Sequence, residues 1–114
     1  MKEFELKQLV GRTAFYCRVK YEVDIFDEAN YYVDCGISDK WVDAIRFSSK
    51  YFFEKFSMYK KRGFKLKIYE INDMIIDTSD MVVFYTIIKL LSKETGYIIP
   101  DLTLNVDGYF LIPK

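Results

Sequence analysis

The sequence predicts a single α+β domain, a two-layer sandwich in which two helices cover one face of a mostly antiparallel sheet. Apolar residues recur at every second position in four runs, which is typical of strands with one face on a core. They recur at helical spacing in two others. The segment order is β-β-β-α-β-α with a short C-terminal β segment. Because strands outnumber crossover helices, this order favours helices gathered on one side of the sheet.

The N-terminal third predicts three hairpin-linked strands. The first spans 2–10, short and near an edge, and Gly11 turns the chain. The second spans 15–25 and has the clearest alternation in the sequence. Its core-facing positions are Phe15, Cys17, Val19, Tyr21, Val23 and Ile25. A polar turn over 26–30 leads into the third strand, 30–35.

Two helices enclose the fourth strand. The first helix is predicted to begin with Ser38 as its N-cap and to run to about Ser57. The basic residues 60–62 and then Gly63 are predicted to end it. The fourth strand, 64–71, directs Phe64, Leu66 and Ile68 towards the core.

The second helix follows the polar turn 77–80 and is apolar on nearly all sides, so we expect it to be covered on most sides. Residues 93–96 close it. The tail holds two short apolar runs, 102–106 and 109–112, with Asp107-Gly108 between them, which predicts a hairpin or a sharp bend.

Composition excludes several classes of protein. The 114 residues fit one domain, with a core over 4–95 and a β tail over 96–114. A hydrophobic content of 51% excludes general disorder. Lys+Arg and Asp+Glu both number 17, so no overall field draws the chain to nucleic acid or membrane. No signal-peptide pattern or long uncharged apolar run appears, so we expect a reduced cytoplasmic protein without a membrane partner.

Catalytic chemistry has few residues to use. The chain has no histidine, so histidine triads and histidine metal sites are excluded. Two cysteines cannot form a structural zinc site without two further ligands. The glycine-rich loops that bind phosphate are absent. With no evident pair of nucleophile and base, we expect no enzyme activity, no cofactor, no metal and no nucleotide.

Two features allow alternative interpretations. Cys17 and Cys35 lie at apolar-phase positions, which indicates buried thiols; a disulfide between them is the alternative. The acidic turn with Asp73, Asp77 and Asp80 indicates helix capping; a divalent cation site is the alternative.

Aromatic and basic residues also leave two interpretations open. Packing explains the tyrosines, but some of them could stack RNA bases on an open sheet face. The tyrosines concerned are Tyr16, Tyr31, Tyr32, Tyr69 and Tyr85. The basic run Lys60-Lys61-Arg62 indicates a solvated helix end; the alternative is a phosphate-contacting patch with Lys65 and Lys67.

Three stretches together resemble domain IV of translation elongation factor G. The run Lys7-Gln8-Leu9-Val10-Gly11-Arg12-Thr13-Ala14-Phe15 is similar to that family's loop K-Q-[ST]-G-G-[RK]-G-Q-[FY]. Residues 40–45 lie where the family opens its first helix. The stretch 63–79 ends in Ile76-Asp77-Thr78-Ser79, which is similar to the family's V-D-S-S. The resemblance covers about residues 4–95 and implies the ribosomal protein S5 domain 2-like fold.

The resemblance also implies a function. In that family the domain has no active site, and its tip loops contact RNA and tRNA in the ribosomal decoding region. The corresponding loops here are 8–13 and 72–77. Ribosome, structured RNA or a translation component are the partners implied. The candidate contact residues are Lys7, Gln8, Arg12, Asn72 and Asp73.

A second interpretation belongs to a different class: a protein–protein interaction or self-assembly module with no role in translation. The zero net charge favours it over a nucleic-acid binder. The apolar tail 102–113 supplies a strand that could pair with a second chain at a sheet edge.

Overall fold

The computed structural model describes residues 1–10, 13–35, 39–73, 78–99, 103–104 and 110–111. They form a four-stranded mixed sheet with two helices over one face, which confirms the predicted α+β class. The strands are β1 (Lys2–Val10), β2 (Thr13–Phe26), β3 (Tyr31–Cys35), β4 (Gly63–Asn72), β5 (Thr103–Leu104) and β6 (Phe110–Leu111). The helices are α1 (Val42–Lys60), which a short 3-10 turn (Asp39–Trp41) precedes, and α2 (Asp80–Thr95).

The strand order in the main sheet is β1-β2-β4-β3. The pairs β1/β2 and β2/β4 are antiparallel, while β3 and β4 are parallel. The predicted hairpin between β2 and β3 is therefore wrong, because β4 lies between them. The apolar residues of β4, Phe64, Leu66 and Ile68, are all buried. A strand with three apolar residues on one face buries most of its apolar surface in the centre of the sheet. The shorter β3, with five residues, lies at the edge.

Gly63 lets the chain cross over the beginning of β4 on its way from β2 to β3. A Cβ atom at Gly63 would lie 1.9 Å from the Asn30 carbonyl oxygen and 2.3 Å from that of Glu28. The adjacent peptide N–H of Phe64 donates to the same Asn30 oxygen at 3.1 Å. Glycine is required here by a close backbone approach.

Gly63 is therefore not the residue that ends α1, contrary to the prediction. Lys61 takes the left-handed conformation at the helix end (φ 51°), and its N–H donates to the Ser57 carbonyl. At the other end the N-cap is Trp41, which makes no side-chain capping bond. The predicted cap, Ser38, lies outside the described residues.

The boundaries of α2 agree with prediction. The Ser79 hydroxyl caps the helix by accepting from the Val82 N–H at 3.3 Å, and Asp80 lies in the first turn. Gly96 ends the helix in the left-handed conformation (φ 78°). Every residue of 82–88 and 90–92 is buried, which confirms the helix as one covered on most sides.

The core lies between the two helices and one face of the sheet. Along β2 the predicted core positions from Phe15 to Tyr21 are buried, and Val23 and Ile25 are half-buried nearer the strand end. In the tail, β5 and β6 pair antiparallel as a separate two-stranded sheet, as expected if a hairpin or a sharp bend separates the two apolar runs. Its turn residues, Asp107 and Gly108, lie outside the described residues.

Candidate functional site

The predicted first tip loop is mostly strand. Lys7 and Gln8 lie within β1, opposite Tyr16 and Phe15 of β2, and pairing continues to Val10 and Thr13. Lys7 and Gln8 therefore alternate across the sheet: Lys7 is exposed on the open face, while Gln8 is in phase with buried Phe15. The loop prediction was too long because the residues at 9 and 10, Leu and Val, sustain a strand. Arg12 lies outside the described residues.

The predicted second tip begins with two residues that are already engaged. Asn72 is the last residue of β4, opposite Arg18. With the amide oriented so that its oxygen faces donors and its nitrogen faces acceptors, the oxygen accepts from the Arg18 guanidinium at 2.8 and 3.2 Å, and the nitrogen donates to Glu70 at 3.2 Å. These three bonds engage the Asn72 amide with residues of the open sheet face.

Asp73 turns the other way, towards the 3-10 turn before α1. Its Oδ2 accepts from the indole N–H of buried Trp41 at 2.8 Å and from Lys40 Nζ at 3.3 Å. Asp73 thus fastens the beginning of α1 to the end of β4. Residues 74–77 of the predicted tip lie outside the described residues.

The structure brings Lys7 and Asn72 to the same end of the open face. Lys7 is opposite Tyr16, and Asn72 is opposite Arg18, two residues further along β2. Gln8 and Asp73 do not join them, since one lies in the helix-facing phase and the other contacts the 3-10 turn. The four of the five predicted residues that the structure describes therefore do not form one cluster.

Opposite charges alternate across the open face of the sheet. Arg18 pairs with Glu3 of β1 at 3.2 Å, and Lys20 pairs with Glu70 of β4 at 3.1 Å. The N-terminal amino group lies 3.6 Å from Glu22. Because these basic groups have carboxylates on neighbouring strands, the centre of this face presents little net positive charge to a phosphate backbone.

The tyrosines considered for base stacking are divided between the two sides of the sheet. Tyr85 is buried in α2, and the half-buried Tyr31 ring packs 4.9 Å from Phe53 of α1, so these two serve the core. Tyr16 and Tyr32 occupy open-face positions, but Tyr16 donates its hydroxyl to Glu5 at 3.3 Å. The half-buried Tyr69 has Lys67 Nζ 5.0 Å from its ring centre. Packing therefore accounts for Tyr31 and Tyr85.

The basic run at the end of α1 is exposed. Lys60 lies over the Tyr59 ring at 5.1 Å, Lys61 is the C-cap, and Arg62 pairs with Asp27 at 3.3 Å. These contacts fit the solvated helix end.

The two cysteines are free thiols, and the alternative of a disulfide is wrong. Cys35 of β3 lies opposite Ile68 of β4, and Ile68 lies opposite Tyr21 of β2. Cys17 is four residues away from Tyr21 along β2. The thiols are thus about 10 Å apart across the sheet and about 13 Å apart along it, beyond disulfide reach. Burial raises the pKa of Cys17 to about 11 and raises that of Cys35, so both stay protonated at neutral pH.

The acidic turn shows capping chemistry through Ser79, as described above. Within the described part of the chain, no three cysteine, aspartate or glutamate side chains are gathered for a metal ion. Asp77, one of the three candidate ligands, lies outside that part.

The sequence does not predict the groove that lies beside the outer edge of β3, the side of this strand that pairs with no other described strand. In a parallel ladder, a donation from Phe64 N–H to Asn30 O means that the peptide groups of residues 30, 32 and 34 face β4. Those of residues 31, 33 and 35 then point outwards. The outward N–H of Tyr31 is satisfied by the Asn30 side chain at 2.8 Å. Among the described residues β3 pairs with β4 alone, so the outward N–H and C=O of Val33 face no neighbouring strand there.

The groove runs between this edge and α1 and has a volume of about 430 Å³. The described residues that line it are Tyr31, Tyr32, Val33 and Arg46. Arg46 is exposed and forms no ion pair with any described residue. The alternation of 31–35 predicts a strand, but only the non-local pairing with β4 makes it an edge strand beside a helix.

Comparison of the chain with protein-family models and with curated protein sequences gives no match. Neither of the two described helices has the length and apolar character needed to cross a membrane. The site's own geometry is therefore the basis for a functional conclusion.

Proposed function

We propose that this chain is a non-enzymatic domain that binds another protein through the free edge of β3. The observation that carries the proposal is the peptide group of Val33, which points outwards, has no partner among the residues that the structure describes, and lies beside a groove of about 430 Å³. An open edge of this kind takes up an extended segment as an additional strand, with main-chain bonds for affinity and pockets for specificity. Arg46 and the rings of Tyr31 and Tyr32 supply such pockets.

A selection experiment tests this function. Random peptides displayed on phage are selected on the wild-type protein and on Val33→Pro, which removes an outward N–H without removing a bond to β4. The matched control is Val33→Ala, which loses the side chain but keeps the N–H. We expect peptides enriched by the wild type and by Val33→Ala to lose at least about tenfold in affinity on Val33→Pro. Equal binding to both variants, or no enrichment at all, contradicts the proposal.

A second candidate function is RNA or ribosome binding by a stand-alone domain similar to domain IV of elongation factor G. The supporting observation is that Lys7 is exposed at the sheet end where β4 stops and Asn72 lies. The sequence of the tip loops counts against this function. The family has a histidine where this chain has Met74, and glycines where it has Val10 and Thr13, so the loops lack polar and flexible groups that RNA contacts would use. The ion pairs of Arg18 with Glu3 and of Lys20 with Glu70 on the open face reduce its positive charge, which also favours the protein-binding function.

Sedimentation with ribosomes separates the two functions. RNA binding predicts co-sedimentation that weakens as salt rises, with a smaller salt dependence for Lys7→Ala and Arg12→Ala. The protein-binding function predicts no difference between these variants and Val33→Ala. A salt-dependent loss on Arg12→Ala would favour the RNA function instead.

A further inference from the structure

Resting on the proposed function, we infer that the β3 groove takes an extended peptide with a carboxylate side chain, which pairs with Arg46 as the peptide adds to the sheet. The groove determines both the backbone form of the ligand and the chemistry of one of its side chains.

The backbone form follows from the direction of the peptide groups of β3. Val33 presents both a donor and an acceptor to the open edge, and Tyr31 presents its carbonyl. Because the Asn30 side chain already occupies the Tyr31 N–H, main-chain pairing centres on Val33. An extended strand satisfies both groups of Val33, whereas a helix cannot, since its own peptide groups are already bonded internally.

The side-chain pattern follows from alternation. Ligand residues opposite Tyr31 and Val33 direct their side chains to the same sheet face as those residues, towards α1. At one end of the groove they meet the rings of Tyr31 and Phe53, whose centres are 4.9 Å apart. Nearer Cys35 they meet Arg46. An apolar residue and an acidic residue two positions apart therefore match the two ends of the groove.

The charge preference rests on Arg46. Asp34 lies on the open-face side of β3 and Asp43 one turn earlier on α1, and neither forms an ion pair with Arg46. Arg46 lies close enough to Cys35 for its positive charge to lower the pKa of that thiol, against the larger effect of burial. A guanidinium that has no ion-pair partner among the described residues and lies beside the outer edge of a strand is suited to a carboxylate, which it can bind through two parallel hydrogen bonds.

The probes are two labelled heptapeptides, blocked at both ends. One has the sequence Thr-Val-Thr-Glu-Thr-Val-Thr, and the other replaces glutamate with glutamine. We expect the wild-type protein to bind the glutamate peptide about tenfold more tightly in fluorescence anisotropy titrations. Arg46→Gln should remove this preference. Lys93→Gln, the same change of charge at an exposed position on α2, should leave it intact.

The outcomes separate this inference from the proposed function. Equal binding of both peptides to the wild type overturns the acidic preference only, provided that Val33→Pro still abolishes binding. Binding that persists in Val33→Pro, or no binding of either peptide, overturns the edge site itself. Slow hydrogen exchange at the Val33 amide in the absence of peptide also overturns the inference. If the slow exchange does not depend on protein concentration, the chain's own tail covers the edge. If it increases with protein concentration, a second copy of the chain covers it.

Discussion

The peptide N–H of Phe64 donates to the carbonyl oxygen of Asn30 across 3.1 Å, and this bond determines which way the peptide groups of β3 point. It directs the N–H and C=O groups of Tyr32 and Asp34 towards β4, and those of Val33 away from it. The same approach of two chain segments excludes a side chain at Gly63. This one contact therefore positions β3 beside β4 and directs the Val33 peptide group away from the described sheet.

Gly63→Ala should destabilise the domain strongly. The added Cβ would lie 1.9 and 2.3 Å from two backbone oxygens, so the connection between β2 and β3 must shift. We expect a loss of about 3 kcal/mol or more in the free energy of unfolding, measured by urea denaturation. Gly96→Ala is the control, since it meets no atom within 4 Å and incurs only the cost of a left-handed residue, about 1 kcal/mol. A smaller loss for Gly63→Ala than for Gly96→Ala would refute this explanation.

Asp73→Ala should loosen the beginning of α1. The buried Trp41 indole N–H loses its acceptor, which we expect to lower the free energy of unfolding by about 1–3 kcal/mol. Asp73→Asn keeps an oxygen acceptor and should lose less. Trp41 is the single tryptophan of the chain, so its fluorescence reports on this contact directly. Unchanged fluorescence and stability in Asp73→Ala would show that the bond does not matter.

Stability should fall in alkaline solution because of Cys17. Burial raises the pKa of its thiol from the ordinary value of 9.0 to about 11 in the folded protein, partly offset by a hydrogen bond with Thr86. Between these values the unfolded chain releases the proton and the folded protein retains it, so rising pH favours unfolding. The loss is on the order of 2–3 kcal/mol for this group.

The control for this pH dependence is Cys17→Ala. It removes the thiol, so its free energy of unfolding should change less between about pH 9 and pH 11 than that of the wild type. Tyr21, whose pKa burial raises to about 12, adds a similar decrease at higher pH in both proteins. Parallel pH curves for wild type and Cys17→Ala would contradict the assignment.

Sequence periodicity was sufficient for most element boundaries, because amphipathic alternation and capping are local. The bounds of β1, the Ser79 cap and the Gly96 stop all follow from neighbours in the chain. The strand order does not, because β4 enters between β2 and β3 through contacts far apart in sequence. Gly63 illustrates the difference: its place after a basic run suggested a helix stop, yet the need for glycine comes from Asn30.

The candidate site was harder to predict for the same reason. Lys7 and Gln8 are adjacent in sequence but lie in opposite phases of β1, and Asp73 is held by Trp41. Val33 and Arg46 carry no sequence motif. Their proximity arises only once α1 packs beside an edge strand.

Hydrogen exchange at single amides of β3, followed by NMR, tests the central claim most directly. In the free protein we predict slow exchange at Tyr32 and Asp34, whose N–H groups bond to β4, and fast exchange at Val33. Addition of the glutamate heptapeptide should slow Val33 and leave Tyr32 and Asp34 unchanged. Fast exchange at Val33 under saturating peptide would contradict strand addition at the β3 edge.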